Sequence, residues 1–315
     1  MTTLAQWLMT QTEDVGLRRV VETMATASAE IAAVLREAPI AGQTGLAGHT
    51  NVQGEAQKAL DVISNDVVLK HLRENPAVSV LISEELDDAV QFGNQGAFMV
   101  ATDPLDGSSN LDVNVTVGTI FSVLKSAGGL LQKGRAQVAA GYVAYGPATS
   151  LVVRISGVVS VFTLDENGAW VLVVEKARVP EVSGEFAINT ARERFWDAAT
   201  LGYVQESVAG ETGTAGKRYN MRWVGSMVAD IHRILMRGGI FLYPLDSETA
   251  SKGGRLRLLY EANPMAWLIE GAGGLSTTGR QGILDVEPTG IHQRVPVILG
   301  SAEEVRRLEG WYARG

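Results

Sequence analysis

Between residues 78 and 174 the chain is cut into short apolar runs that leave room for little besides β-structure. The runs 78–82, 97–101, 119–124, 138–145, 150–155, 159–164 and 170–174 are rich in Val, Ile, Tyr and Phe, and several are bounded by Gly or Pro. Segments of that length and composition are strands. Upstream, Leu17, Val20, Val21, Met24, Ala27, Ile31, Val34 and Leu35 recur mostly at three- and four-residue steps. They form one apolar face of a helix, expected to end near Pro39. A Gly-, Thr-, Gln- and Asn-rich stretch, 41–55, reads as a mobile loop, and a second helix is expected over about 57–73.

Beyond Pro180 the elements alternate. The pattern predicts a short strand at 186–189, a Gly/Thr/Ser-rich surface loop at 205–216, a helix at 227–236 and a strand at 239–243. A helix at 264–270 closed by Gly273-Gly274, a strand at 295–299 and a final helix at 302–311 follow. No period of 20–50 residues repeats, which excludes a solenoid. Helices, then a block of strands, then alternation predict an α/β protein of layered α+β type, in two tightly packed subdomains, 1–180 and 181–315.

Composition narrows the function. With 27 Lys and Arg against 35 Asp and Glu the net charge is −8, without the basic stripe of a nucleic-acid binder. The absence of cysteine excludes disulfides, thiolate metal sites and catalytic thiols. No apolar run is long enough to span a membrane. After Arg18-Arg19, Val20-Val21 is followed at once by polar Glu22 and Thr23, so the apolar core of an export signal is lacking. A cytoplasmic protein with no nucleic-acid or membrane partner is expected.

The densest chemical signal is Ala101-Thr102-Asp103-Pro104-Leu105-Asp106-Gly107-Ser108-Ser109-Asn110. A strand runs into a Pro-led turn with two carboxylates three residues apart, then a small-residue stretch. Paired carboxylates suit a hard divalent cation, which prefers oxygen ligands. Gly-Ser-Ser exposes backbone N–H groups and hydroxyls of the kind that hold phosphate. Together they point to metal-assisted phosphoryl chemistry, whereas a lone Asp-Pro-x-Asp would more simply be a solvated turn. Glu84-Glu85 follows the strand 78–82, and neighbours at a strand end point to opposite faces. Asp61 lies beside the apolar stretch of a helix, where a surface carboxylate is the simpler reading. Glu261 lies between an apolar strand and the proline that opens the next helix. Arg222, Tyr243 and Arg255 are available for a second anionic group, although scattered Arg and Tyr more often make structural contacts. His232 reads as a packed helix residue.

The strings Ile82-Ser83-Glu84-Glu85, Asp103-Pro104-Leu105-Asp106-Gly107-Ser108-Ser109-Asn110 and Val117-Gly118-Thr119-Ile120-Phe121 resemble class I fructose-1,6-bisphosphatase, within the lithium-sensitive, metal-dependent sugar phosphatases. So do the stretches from Val224 to Arg233 and from Leu256 to Ala266. The resemblance runs from about residue 17 to the end. It implies a sugar-phosphatase fold of alternating helix and sheet layers and hydrolysis of the 1-phosphate of a sugar bisphosphate. Glu84, Asp103, Asp106 and Glu261, with the Leu105 carbonyl, match the divalent-metal ligands, and Glu55 matches the acid of the family's dynamic loop. Asp61 and Glu85 match the residues that orient and deprotonate the attacking water. Gly107, Ser108 and Ser109 match the 1-phosphate binders. Asn189, Arg222, Tyr243 and Arg255 match the 6-phosphate pocket, and Met227 the sugar contacts. The resemblance further implies two or three Mg²⁺ per subunit, with Mn²⁺ or Zn²⁺ as substitutes, and a homo-oligomer, usually a homotetramer, in which the arginine matching Arg222 enters a neighbour's site.

Departures from the family pattern carry their own expectations. Arg255 stands where a lysine is usual, Trp223 where a tyrosine follows the arginine, and Arg192 near another tyrosine's place. These changes leave sedoheptulose 1,7-bisphosphate open as a second substrate. Around Asp14-Val15-Gly16, Ala97-Phe98 and Lys125 the AMP-binding residues of animal members are missing, so AMP insensitivity is expected. Two alternatives remain at this point. One is an inositol-monophosphatase-like enzyme, suggested by Trp196-Asp197-Ala198-Ala199, here read as coincidence in a surface helix. The other is a metal-binding regulatory protein without catalysis.

Overall fold

The computed structural model describes residues 1–42, 46–50 and 56–314. The first helices are α1 (Leu4–Gln11), α2 (Val15–Ala41) and α3 (Ala59–Arg73). Helix α1 escaped the sequence reading; a reciprocal cap between Thr3 and Gln6 starts it. Helix α2 buries the predicted face, Leu17, Val20, Val21, Met24 and Ile31 among it. It passes Pro39 and ends at Gly42 in the left-handed conformation, φ 68°. So close to the end, the proline's missing N–H removes only one bond of the last turn. Within the stretch expected to be a loop, β1 (Leu46–Thr50) pairs antiparallel with β2 (Ala56–Lys58). Residues 43–45 and 51–55, including Glu55, lie outside the described residues.

The predicted strands form one sheet: β3 (Val78–Ser83), β4 (Val90–Gln91), β5 (Phe98–Asp106), β6 (Val117–Lys125), β7 (Ala139–Tyr145), β8 (Thr149–Ile155), β9 (Val158–Leu164) and β10 (Trp170–Val174). Their order is β10-β9-β8-β7-β6-β5-β3-β4, with β3 and β5 the one parallel pair. Both faces are covered. Leu81, Val100, Phe121 and Val143 pack with Val20, Met24 and Val68 of the first helices. Their neighbours Ile82, Ala101, Ile120 and Tyr142 face the other way, into a core shared with the C-terminal half. Successive strand residues alternate faces, so burial on both sides explains why these strands read as unbroken apolar runs.

The C-terminal half contains β11 (Glu185–Ala187), α4 (Ala198–Ala209), β12 (Asn220–Met221), α5 (Met227–Arg237), β13 (Ile240–Tyr243), β14 (Leu256–Arg257), α6 (Asn263–Gly271), β15 (Leu275–Thr277), β16 (Arg294–Val295), β17 (Val297–Gly300) and α7 (Ala302–Tyr312). A second sheet has the order β12-β11-β13-β17-β15. Helices α5 and α6 lie between the two sheets, where Ile231, Ile234, Met265 and Leu268 pack with Ile120 and Tyr142 on one side and Phe241 and Leu299 on the other. Helices α4 and α7 cover the outer face, Tyr203, Val204, Val305 and Leu308 meeting Ile240, Leu242 and Ile298. The result is five alternating layers, helix–sheet–helix–sheet–helix, as the family resemblance implies.

Three local expectations are corrected. Residues 205–209, read as loop, are the last turns of α4, which packs apolar side chains under the second sheet. The strand expected at 295–299 is divided at Pro296, which has no N–H for the ladder. The apolar strand expected before Glu261 is only Leu256–Arg257, and a π-helical turn, Leu258–Ala262, carries the acid instead.

Candidate active site

Strand β5 is buried along its whole length and brings in the first acids. The predicted Pro-led turn does not interrupt it. Its ladder to β6 is regular to Asp103↔Ile120 and resumes, shifted, at Asp106↔Gly118. Pro104, between them, has no N–H to donate, and Thr119 Oγ1 donates to its carbonyl at 2.8 Å. In a flat strand residues three apart face opposite ways; the irregularity brings Asp103 and Asp106 to one side. Glu261, on the π-turn, completes the cluster: one oxygen from each of the three buried acids lies within 4.8 Å of the others.

Neighbouring elements fasten this cluster. One Asp106 oxygen accepts from Ser226 Oγ at 3.0 Å and from Val228 N at 2.9 Å, at the start of α5. Asp230, in the first turn of α5, accepts from Val224 N and Gly225 N, both at 3.1 Å, and so shapes the turn carrying Trp223. Gly107 has φ 77°, and a Cβ there would meet Ser226 Cβ at 2.7 Å, so only glycine fits between β5 and α5. Asp61 lies in the first turn of α3 and is buried, which overturns its reading as a surface carboxylate. Ser83 Oγ donates to Asn65 Oδ1 at 2.7 Å and ties α3 to β3.

A cavity of about 250 Å³ gathers most of the residues singled out from the sequence. Asp61, Glu84, Glu85, Asp103, Leu105, Asp106 and Glu261 line it, together with Gly107, Ser108 and Ser109. Glu84 and Glu85, expected to face opposite ways, both line it, because β3 ends at Ser83 and they stand in the turn beyond. Met227, Tyr243 and Arg255 line it as well, with the Met227 backbone against Asp106. Trp223 stacks on Phe241 with ring centroids 5.8 Å apart, Tyr243 meets Trp223 edge-on at 5.6 Å, and the Arg255 guanidinium carbon is 5.9 Å from the Tyr243 ring.

Two singled-out residues do not line it. Asn189 follows β11, next to β13, and its Oδ1 accepts from Ala191 N at 3.1 Å. Arg222 is half exposed, its Nε 3.3 Å from Glu185 Oε1. Arg257 was missed by the sequence reading. It is buried, with one guanidinium nitrogen 2.7 Å from Glu84 Oε1, and its backbone N–H donates to Glu261. Its position four residues before Glu261, in the same short string, was the available signal.

The acid cluster is electrostatically strained. Burial, then the charges of Glu84, Asp106 and Glu261, push the Asp103 carboxyl well above its ordinary value. Burial drives Glu261 up to about 8, against the pull of Arg257. Burial also raises Asp106 to about 6, although the bonds from Val228 and Ser226 oppose it. Two like charges 4 Å apart repel by about 4 kcal/mol at an effective dielectric of 20. Leu105 N donates to Asp103 at 3.0 Å, and a side-chain hydrogen bond joins Asp103 to Glu84. Converging, buried, oxygen-only donors that resist ionisation fit a hard divalent cation.

Oxygen donors for such a cation, beside the first amides of the 3-10 turn Ser108–Val113, are the equipment of a metal-assisted phosphatase. Comparison with known proteins agrees with that class. Residues 2–175 match the family model for the fructose-1-6-bisphosphatase N-terminal domain and residues 179–313 that for its C-terminal domain. Fructose-1,6-bisphosphatase class 1 of Neisseria meningitidis serogroup A is 52% identical over 305 residues, covering 95% of this chain and 94% of the relative. Its counterpart in Acinetobacter baumannii (strain ACICU) is 49% identical over 319 residues, covering 98% and 99%. The crystal structure of Leishmania major fructose-1,6-bisphosphatase in holo form superposes with a TM-score of 0.94 at 35% identity, covering 99% of each chain. The chain belongs to the fructose-1,6-bisphosphatase family. Trp196-Asp197, the string that suggested inositol monophosphatase, lies outside the cavity, and Asp197 caps α4 by accepting from Thr200 N at 2.7 Å.

Proposed function

We propose that this protein hydrolyses the 1-phosphate of fructose 1,6-bisphosphate to fructose 6-phosphate and phosphate, with two or three divalent cations, Mg²⁺ foremost and Mn²⁺ or Zn²⁺ as substitutes. The observation that carries the reading is one cavity lined by both the acid cluster and the pair Tyr243 and Arg255, groups suited to the metal-bound and the free phosphate of a sugar bisphosphate. Glu84, Asp103, Asp106, Glu261 and the Leu105 carbonyl would hold the cations, with Glu55, which lies outside the described residues. Bound there, such cations would supply neutralisation of the 1-phosphate and a lowered pKa for a bound water. Gly107, Ser108 and Ser109 hold that phosphate. Asp61 and Glu85 orient the attacking water and take its proton as the new P–O bond forms in line and the bond to the C1 oxygen breaks. Met227 contacts the sugar. Asn189, Tyr243 and Arg255 hold the 6-phosphate, joined by Arg222 from a neighbouring subunit. The family is oligomeric and a homotetramer is the assembly proposed.

AMP insensitivity has structural support. Asp14 caps α2 by accepting from Leu17 N at 3.0 Å, so a carboxylate already stands where an anion would bind. Lys125 Nζ is 3.0 Å from that carboxylate and 4.0 Å from the centre of the buried Phe98 ring. The aromatic wall of Trp223, Phe241 and Tyr243 favours sedoheptulose 1,7-bisphosphate as a second substrate, since flat rings fix no single sugar length. No helix among the described residues is long and apolar enough to cross a membrane, in keeping with the cytoplasmic location proposed. Phosphate release from both bisphosphates, with and without Mg²⁺ and AMP, tests all of this. Mg²⁺-dependent turnover of fructose 1,6-bisphosphate that AMP leaves intact is the expected result. No release with any divalent metal would sink the reading and leave a non-catalytic metal-binding protein.

A further inference from the structure

Two loops meet beside Tyr243 and Arg255 of the cavity. Asn189 opens a 3-10 turn, Thr190–Phe195. Facing it, the chain leaves β13 after Tyr243 and returns at Arg255, just before β14. Ser247 N donates to Phe195 O at 3.0 Å, and Trp196 bridges Asp246. The stronger link is Arg192. Its Nε donates to Asp246 Oδ2 at 2.7 Å, a second guanidinium nitrogen is 2.6 Å from the same oxygen, and the third is 2.7 Å from Glu248 Oε2. The other Asp246 oxygen accepts from Glu248 N at 3.1 Å, Thr249 N at 2.9 Å and Thr249 Oγ1 at 2.8 Å, which folds the facing loop around it. Exposed ion pairs contribute little, but here the side chains of Asp246 and Arg192 are only 4% and 15% exposed. Removing Arg192 would leave the Asp246 charge buried without its cation.

We propose that Arg192 is a positioning residue for the distal phosphate. By clamping the loop that ends in Arg255 against the turn that begins at Asn189, it sets how far from the acid cluster a second phosphate is held, and so the length of substrate accepted. A guanidinium suits the task, because its rigid fork holds both carboxylates at fixed angles. The proposal rests on the bisphosphatase reading above.

The test compares Arg192→Ala, Arg192→Lys and Glu248→Gln with the wild-type enzyme on fructose 1,6-bisphosphate and on fructose 1-phosphate, which lacks the distal group. In Arg192→Ala the KM for the bisphosphate rises about tenfold while kcat stays within about twofold, because uniform binding is lost and not transition-state stabilisation. For fructose 1-phosphate, kcat/KM moves by less than about twofold. Arg192→Lys recovers part of the loss. Glu248→Gln, an exposed site that does not threaten folding, shifts the same KM by about two- to threefold. Equal losses on both substrates, a fall in kcat alone, or no change of KM in Arg192→Ala would overturn the clamp and leave the function standing. A wild-type enzyme that releases phosphate from neither substrate would instead fail the function, and the clamp's role with it.

Discussion

Asp103 and Asp61 illustrate two demands that the site makes on a carboxylate. Asp103 is buried among other acids and held well above its ordinary pKa. Replacing it by Asn removes a charge that the metal-free fold resists. Asp103→Asn should therefore melt a few degrees higher than wild type in the presence of chelator, a gain of about 1 kcal/mol. Its turnover should fall about a thousandfold, since several kcal/mol of cation-borne stabilisation goes with the ligand. A melting point below wild type would show that the acid cluster is not strained. Asp61→Asn keeps the shape and removes the base, and should lower kcat at least about a hundredfold; near-wild-type turnover would move the proton acceptor elsewhere. At this scale the sequence was legible where chemistry is compressed into a string, as from Asp103 to Asn110. Arg257 was legible only as a neighbour of Glu261 in its string, because its pairing with Glu84, far away in the chain, is made by the fold.

Among the elements, α4 and α7 are held together by a buried charge. Glu304, on α7, accepts from Tyr203 at 2.7 Å, Lys217 at 2.7 Å, Arg307 at 2.9 Å and Tyr219 at 3.0 Å. Burial opposes its ionisation, but the bonds from Lys217 and Tyr203 and the charge of Arg307 outweigh it and hold its pKa below the ordinary 4.5. A depressed carboxylate contributes stability that is complete above its unfolded pKa and lost as pH falls through the folded one. Glu304→Gln should lose about 1–3 kcal/mol at pH 7, since Lys217 and Arg307 lose the buried charge they share and keep Glu303 and Glu206 as partners. Its stability should then decline less than wild type's as pH drops from 5 to 3. Parallel acid limbs in urea titrations of the two proteins would refute the assignment. Element type was readable wherever periodicity was long, as in α2, or burial two-sided, as in the large sheet. It failed at 205–209 and 258–262, where polar composition hid a helix and an apolar run hid a π-turn, because tertiary packing and not local pattern decides such segments.

The whole molecule should feel the acid cluster as a dependence on cations and pH together. Glu261 titrates near 8 and Asp106 near 6, both above their ordinary values. Such groups bind protons more tightly folded than unfolded, so without metal, stability falls as pH rises from about 4 through 8. A saturating divalent cation replaces those protons and adds RT ln(1 + [L]/Kd). Melting curves in chelator should shift down by several degrees between pH 5 and pH 8, and Mg²⁺ should remove most of that shift. Identical melting at both pH values without metal would contradict it.

The core between the two sheets draws on Ile82, Ala101, Ile120 and Tyr142 from the early chain and on Ile231, Met265, Leu268 and Leu299 from the late chain. Covalent continuity from one half to the other runs past exposed Glu181 and Val182. A protease that severed the peptide there would divide the polypeptide and not the particle. The fragments would migrate as one species under native conditions and separate only in denaturant. The acids of β5 and of the π-turn, contributed by different fragments, would still face each other.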